Sequence, residues 1–369
     1  MARRIDDRLA RLRQRRFDDS LPVMQEQYEK RSTNKATRYA LGAMQQVDPR
    51  STQISHEEFE KVERNLLEGL DKEGLQPKVR FQGSVPINVH TRGVSDVDLL
   101  VIEGLYLRIE PCEGGQKSYL PYTGKGSLCD DVLYLRKKSK EVLDRRFWGA
   151  KVDGSPAKSI QLTEGGFRRK VDVVPSHWYD TATYQMTLND TYRGIDVVDQ
   201  YTRESFRNYP FLYMDKINSK DRETLGGAKM SIRLAKNVRN DADGDIELSS
   251  YDIGSLMFHC PSEYITSLPA RDLMVLSGTD RWFDELASDM SFAMSLETPD
   301  GTRKIIDNVD RWTGLTKLSS ELNALASEVE REIIGPFGTP SYDRGEIRKR
   351  LNDGQIPLLP DEFGLGARF

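Results

Sequence analysis

Asp96 and Asp98 stand two residues apart at the mouth of an apolar run in "QGSVPINVHTRGVSDVDLLVI" (residues 82–102), with a Gly83-Ser84 pair a dozen residues before them. Alternation along a strand sends both carboxylates to one side and Val97 to the other. Their α-carbons are then about 6.6 Å apart, close enough for both acids to reach one metal cluster. Hard divalent ions such as Mg²⁺ take oxygen ligands, commonly a few carboxylates together with substrate phosphates. A pair of such ions can stabilise both the attacking and the leaving oxygen of a phosphoryl displacement.

That chemistry calls for a third acid on a neighbouring strand, and "RRKVDVVPS" offers Asp172 between Val171, Val173 and Val174. A lone carboxylate buried there is costly unless it is paired or bound to metal. The alternatives are an ion pair with Arg168 or Arg169, or the capping of a turn; the three acids together favour metal. Gly83 has no Cβ, so its backbone can approach a phosphate. Ser84 offers a hydroxyl and an N–H at an expected helix start, where anionic oxygens are favoured.

The surrounding segments supply the elements that position these groups. "KVRFQGS" reads as a short strand ending in a turn, and "DVDLLVI" as a strand whose run Leu99 to Ile102 suits burial on both faces. "SIQLTEGGFRRKVDVVP" reads as a hairpin turning at Gly165-Gly166, its second strand stopped at Pro175. The first 75 residues read as helices, including "ISHEEFEKVERNLLEGLDKEGL" with Ser55 as N-cap. "LCDDVLYLRKKSKEVLDRRF" adds a helix after the Gly- and Pro-rich loop "PCEGGQKSYLPYTGKGS". Beyond about residue 205 the segments "LGGAKMSIRLAKNVRN", "SSYDIGSLMFHC", "DRWFDELASDMSFAMSL" and "LSSELNALASEVEREII" are all helix-like. The expected architecture is α+β: a catalytic lobe over 1–205 built on a mixed sheet with N-terminal helices, and a helical lobe over 206–369, with the site in the cleft between them. The tail "GQIPLLPDEFGLGARF" is expected to be extended or to wrap the surface, and "GEIRKRLNDG" to be a charged helix face.

Composition agrees with an ordinary globular chain: 369 residues, 37% hydrophobic, 30% charged, net charge −4. No apolar run approaches a membrane span, and the basic start lacks the apolar stretch of a secretory signal. Cys112, Cys129 and Cys260 show no paired spacing, which argues against a disulfide framework or structural zinc and for a cytoplasmic setting. The first sixteen residues carry seven arginines against two aspartates, read as a solvated helix face or, alternatively, an interaction arm. "DADGDIE" is not an EF-hand loop, because Gly244 is misplaced and position 252 is Asp.

Gly-Ser, then Asp-x-Asp opening a strand, then a strand Asp downstream resembles the polymerase β-type nucleotidyltransferase superfamily. More narrowly, the sequence is similar to the cGAS/DncV-like nucleotidyltransferases (CD-NTases) of bacterial antiphage (CBASS) signalling. "LSSYDIGSLMFHC" resembles the nucleotide-contacting segment of animal cGAS, with "GGAKMSIRLAKNVRN" before it at the family's spacing. The resemblance runs from about residue 80 to 260. It implies a polymerase β-like core and two-metal synthesis of a cyclic di- or trinucleotide messenger from nucleoside triphosphates. Asp96, Asp98 and Asp172 would hold two Mg²⁺, with Mn²⁺ able to substitute. Gly83 and Ser84 would contact the nucleotide, Lys229 and Ser250 the triphosphate, and Tyr251 would stack on a base. Without the resemblance, Tyr251 reads as core and Lys229 as solvated. The implied partners are the triphosphate substrates, an effector that reads the cyclic product and regulatory proteins. The zinc-binding insertion of animal cGAS has no counterpart here, which argues against DNA activation. Two alternatives keep the motifs but change the outcome: a non-cyclising transferase acting on RNA, a protein or a small molecule, and a silent nucleotide sensor, against which the intact acid set argues.

Overall fold

The computed structural model describes residues 2–16, 27–91, 95–115, 117–119 and 126–357. In chain order the helices are α1 (Ala2–Arg16), α2 (Gln27–Arg31), α3 (Lys35–Met44), α4 (Pro49–Asp71), α5 (Leu128–Arg146), α6 (Ala182–Thr187), α7 (Pro210–Glu223), α8 (Gly227–Asp241), α9 (Ser250–Phe258), α10 (Ser262–Ile265), α11 (Asp272–Ser288), α12 (Met290–Ser295), α13 (Val309–Ile334) and α14 (Arg344–Asp353). The strands are β1 (Lys78–Gln82), β2 (Val97–Ile109), β3 (Lys151–Asp153), β4 (Ile160–Thr163), β5 (Val171–Asp180), β6 (Arg193–Val198) and β7 (Ser205–Asn208). No described helix is long and apolar enough to cross a membrane.

The chain divides into two compact units: Asp48–Ile87 with Val94–Asp215, and Met1–Val47 with Asn88–Gly93 and Lys216–Phe369. This division differs from the expected boundary at 205/206. The N-terminal helices group with the C-terminal ones because α1 packs on α3, and α3 packs on α8 and α13.

The first unit is built on a mixed sheet in the order β1-β2-β5-β4-β3, with β6 pairing β5 and β7 pairing β6. β2 and β5 run parallel at its centre, and the other pairings are antiparallel. Strand alternation sorts the side chains. Val97, Leu99 and Val101 of β2, with Val171 and Val173 of β5, pack beneath Val62, Leu66 and Leu70 of α4 and Val142 and Leu143 of α5. Leu100 and Ile102 point the other way, into a smaller cluster with Trp178, Ile195 and Val197. The run from Leu99 to Ile102 is buried throughout, as its composition requires for a central strand.

Three local expectations are corrected. The fourth helix begins before Ser55: Asp48 caps it by accepting the Arg50 N–H, Pro49 takes the first position, and Ser55 lies buried within the helix. β5 does not stop at Pro175 but continues to Asp180. The Val97 N–H donates to the Lys170 carbonyl, so alternate residues of β5, Pro175 among them, turn their polar groups away from β2. On that side β4 pairs only up to Val173 and β6 begins at Ser176. The N–H that proline lacks would have had no partner there. Third, α14 is more than a charged face. Ile347 and Leu351 are buried, Arg348 pairs with the buried Asp280 at 2.7 Å, and Arg350 pairs with Glu330.

In the helical unit Arg8 and Arg15 of α1 belong neither to a solvated face nor to a free arm. Arg8 is buried against Glu321. Arg15 grips both oxygens of Asp241, at 2.5 and 2.7 Å, from the end of α8. Asp241 is fully buried and also accepts the Tyr39 hydroxyl at 2.8 Å. Burial first, and the Asp241 charge second, push the Tyr39 phenol well above its ordinary pKa, so it remains a donor. Breaking such a buried pair leaves an uncompensated charge. Asp241→Asn is therefore expected to cost roughly 3 kcal/mol in chemical denaturation, whereas Lys35→Ala, which removes an exposed pair with Asp6, changes it by less than about 1 kcal/mol.

Candidate active site

The parallel register sets Asp98 directly beside Asp172. Neighbouring residues in register on adjacent strands put their side chains on the same face. This face is the one opposite α4 and α5, since Val97, Val171 and Val173 occupy the helix side. Asp96 lies just before β2. Lys170, two residues before Asp172, reaches across to it: its ammonium lies 2.6 Å from Asp96 Oδ2 and 3.1 Å from Asp172 Oδ2. Asp172 therefore pairs with Lys170 and not with Arg168 or Arg169; Arg169 instead donates to Ser51 Oγ at 2.8 Å. Partial burial would lower the Lys170 pKa, but the hydrogen bonds and charges of the two aspartates outweigh it and hold the ammonium above its ordinary value.

Gly83 follows β1, whose last residue Gln82 pairs with Asp98. Its backbone has φ +85°, and a Cβ there would sit 2.2 Å from Asp98 Oδ2. The glycine is thus needed to make room for the carboxylate, a reason more immediate than phosphate approach. Ser84 does not open a helix. It lies in a bend followed by the turn at residues 85–88, so its hydroxyl and N–H are presented by a loop.

The donors suit a hard cation. They are carboxylate oxygens alone, and the pair Asp96 and Asp172 already closes around a positive charge, the Lys170 ammonium. Among the described residues no three acidic, histidine or cysteine side chains converge on one point; Asp96 and Asp172 meet on the Lys170 ammonium. With that ammonium withdrawn, Asp96, Asp98 and Asp172 are the residues that would hold divalent metal.

The other expected contacts belong to the helical unit. Gly226, at φ +93°, turns the chain into α8, and a Cβ on Gly227 would meet the Ile265 carbonyl oxygen at 1.6 Å. That close approach fixes where the first turn of α8 begins, and with it Lys229. Lys229 is not freely solvated: its N–H donates to Asp221 Oδ1 at 2.9 Å, and its ammonium lies 3.5 Å from Asp221 Oδ2. Ser250 is the first residue of α9, capped by Ser249 and Asp252 in a reciprocal capping box. Its hydroxyl accepts from Arg239 at 3.4 Å. Tyr251 is half-buried and not core. Its hydroxyl donates to Asp300 Oδ2 at 2.9 Å, and the Arg303 guanidinium lies 5.5 Å from its ring centre.

Sequence reading passed over Lys170, Asp221, Asp300 and Arg303. Lys170 carried a usable signal, since it lies two residues before Asp172 and a strand puts both on one face. Asp221 meets Lys229 from the last turn of α7, and Asp300 and Arg303 lie outside helices and strands; periodicity within one element encodes none of these contacts.

The profile of the cGAS/DncV-like nucleotidyltransferase C-terminal helical domain matches residues 215–326. A cyclic dinucleotide synthase, CdnE, from Yersinia aleksiciae is 40% identical over 332 residues, covering 89% of this chain and 86% of that protein. Among solved structures, the STING-associated CdnE c-di-GMP synthase from Capnocytophaga granulosa superposes with a TM-score of 0.70 at 27% identity, covering 87% of this chain and 97% of the other. A second such c-di-GMP synthase, from Flavobacteriaceae sp., has the same fold, with a TM-score of 0.73 at 23% identity over 87% and 97% of the two chains. Carboxylates on paired central strands, a matching helical domain and a 40%-identical relative lead to one conclusion: the chain is a nucleotidyl-transferring enzyme and belongs to the cGAS/DncV-like nucleotidyltransferases.

Proposed function

We propose that this enzyme joins two nucleoside triphosphates into a cyclic dinucleotide messenger that a downstream effector reads, in the cytoplasm and in the service of antiphage signalling. The observation that carries the reading is the in-register pairing of Asp98 with Asp172, with Asp96 drawn to the same place through Lys170. The likeness to a cyclic dinucleotide synthase over most of both chains supports the choice of product class.

Asp96, Asp98 and Asp172 would hold two Mg²⁺, or Mn²⁺ in their place. When bound, the metal supplies Lewis-acid stabilisation of phosphate charge and eases loss of the proton from the attacking ribose hydroxyl. The chain's own contribution is position. β2 and β5 hold the acids on a rigid sheet, and Gly83 leaves Asp98 its room. The Ser84 hydroxyl and N–H are donors for a phosphate oxygen. Lys229 and Ser250 serve the triphosphate, the former as a point charge. Tyr251, its hydroxyl tied to Asp300, presents its ring to a base. An aromatic platform accepts any base, so it does not by itself dictate which nucleotides enter. Regulatory protein partners are part of the same reading, as in the family.

The direct test incubates the purified protein with labelled ATP, GTP, CTP and UTP plus Mg²⁺ or Mn²⁺, then treats the products with phosphatase and weighs them. The expected product resists phosphatase and has the mass of a cyclic dinucleotide; a linear or protein-linked product would replace cyclisation with simple nucleotidyl transfer. Asp98→Asn and Asp172→Asn are each expected to lower kcat by roughly 10²-fold or more, the value of several kcal/mol of charge stabilisation. Gly83→Ala drives a methyl group into Asp98 and is expected to lose roughly 10²-fold in rate by displacing that carboxylate, with circular dichroism showing the fold retained. Tyr251→Ala is expected to act on KM for the stacked nucleotide, raising it by roughly 5- to 150-fold, while Tyr251→Phe separates the ring from its tie to Asp300.

A further inference from the structure

Lys170 has no part in the chemistry just described, yet its ammonium touches two of the three acids, Asp96 and Asp172. It sits on the strand face of Asp172, its backbone carbonyl is fixed by the Val97 N–H at 2.9 Å, and its ammonium spans Asp96 and Asp172 at 2.6 and 3.1 Å. The Lys170 side chain is 31% exposed, that of Asp172 13% and that of Asp96 37%, so the Asp172 contact is the one partly withdrawn from water and less screened.

Two facts then bear on each other. Carboxylates gathered on one sheet face repel unless a cation lies between them. An ammonium and a divalent ion on the same carboxylate oxygens disfavour one another, because like charges within about 4 Å repel, the more so where water is partly excluded. We propose that Lys170 is an internal counter-ion that competes with divalent metal for Asp96 and Asp172, holding the acids together before metal arrives and setting how tightly the site takes it. The lysine stem is flexible, and its head is a compact charge that can leave for water as metal enters. This inference rests on the assignment of Asp96, Asp98 and Asp172 as the metal-holding acids.

The test measures Mn²⁺ binding to the full-length protein without nucleotide, following free Mn²⁺ by electron paramagnetic resonance. Wild type is compared with Lys170→Ala, Lys170→Met, Lys170→Arg and Asp172→Asn. The expected result is binding tighter by about ten-fold or more in Lys170→Ala and Lys170→Met, near wild type in Lys170→Arg and lost in Asp172→Asn. If Asp172→Asn loses Mn²⁺ while Lys170→Ala binds it no better than wild type, the counter-ion proposal is overturned and the acid assignment stands. If Asp172→Asn binds Mn²⁺ as wild type does, the acid assignment fails and takes the proposal with it. Thermal melts supply a second readout that a merely structural lysine would not move. Without metal, Lys170→Met is expected to melt below wild type, and saturating Mn²⁺ is expected to raise it by more than it raises wild type. An equal deficit with and without Mn²⁺ counts against competition.

Discussion

Everything at the candidate site depends on one pairing, the parallel register that puts Asp98 of β2 beside Asp172 of β5. A slip of one residue between these strands would send a whole set of side chains to the opposite face. The apolar residues forbid it. Val97, Leu99, Val101, Val171 and Val173 are all fully buried under α4 and α5, and exchanging them for the carboxylates would bury charge among aliphatic groups at several kcal/mol each. Hydrophobic packing on one face therefore defines acid geometry on the other. The acids contribute little to folding themselves; they are placed by what lies beneath them.

The helical unit follows a related rule by different means. There the groups of interest are placed by backbone approach and capping. Gly227 lets the start of α8 press against the Ile265 carbonyl, the Ser249 and Asp252 box starts α9 at Ser250, and Asp300 ties down the Tyr251 hydroxyl. Such contacts are directional and specify orientation, whereas the apolar core of the sheet specifies only which face is inside. A ring held by its hydroxyl at one end has its plane fixed as well as its position.

The legible part of this protein was the part with a period. Alternation exposed β2, β5 and the shared side of Asp96 and Asp98, and 3.6-residue spacing exposed the helices after residue 205. Whatever depends on one contact was not legible. The start of α4 at Pro49 depends on the Asp48 cap, the continuation of β5 through Pro175 on a change of neighbour from β4 to β6, and the membership of the N-terminal arginines in the helical unit on Arg15 meeting Asp241. Gly83 shows the difference within the site itself. As a residue type it suggested closeness to something, but that the something is the Asp98 carboxylate is a fact of tertiary structure. Lys170 was recoverable from alternation alone, since a strand residue two before an acid shares its face.

A common electrostatic pattern links the two units. Each cation that stands where anionic substrate or metal chemistry is proposed already has an acid: Lys170 has Asp96 and Asp172, and Lys229 has Asp221. Charge is thus balanced within the free protein, which keeps these side chains in one geometry and spares the fold a cluster of unpaired charge. The same balance lowers apparent affinity, because an incoming phosphate or metal must first displace a resident partner, and only the difference appears as binding.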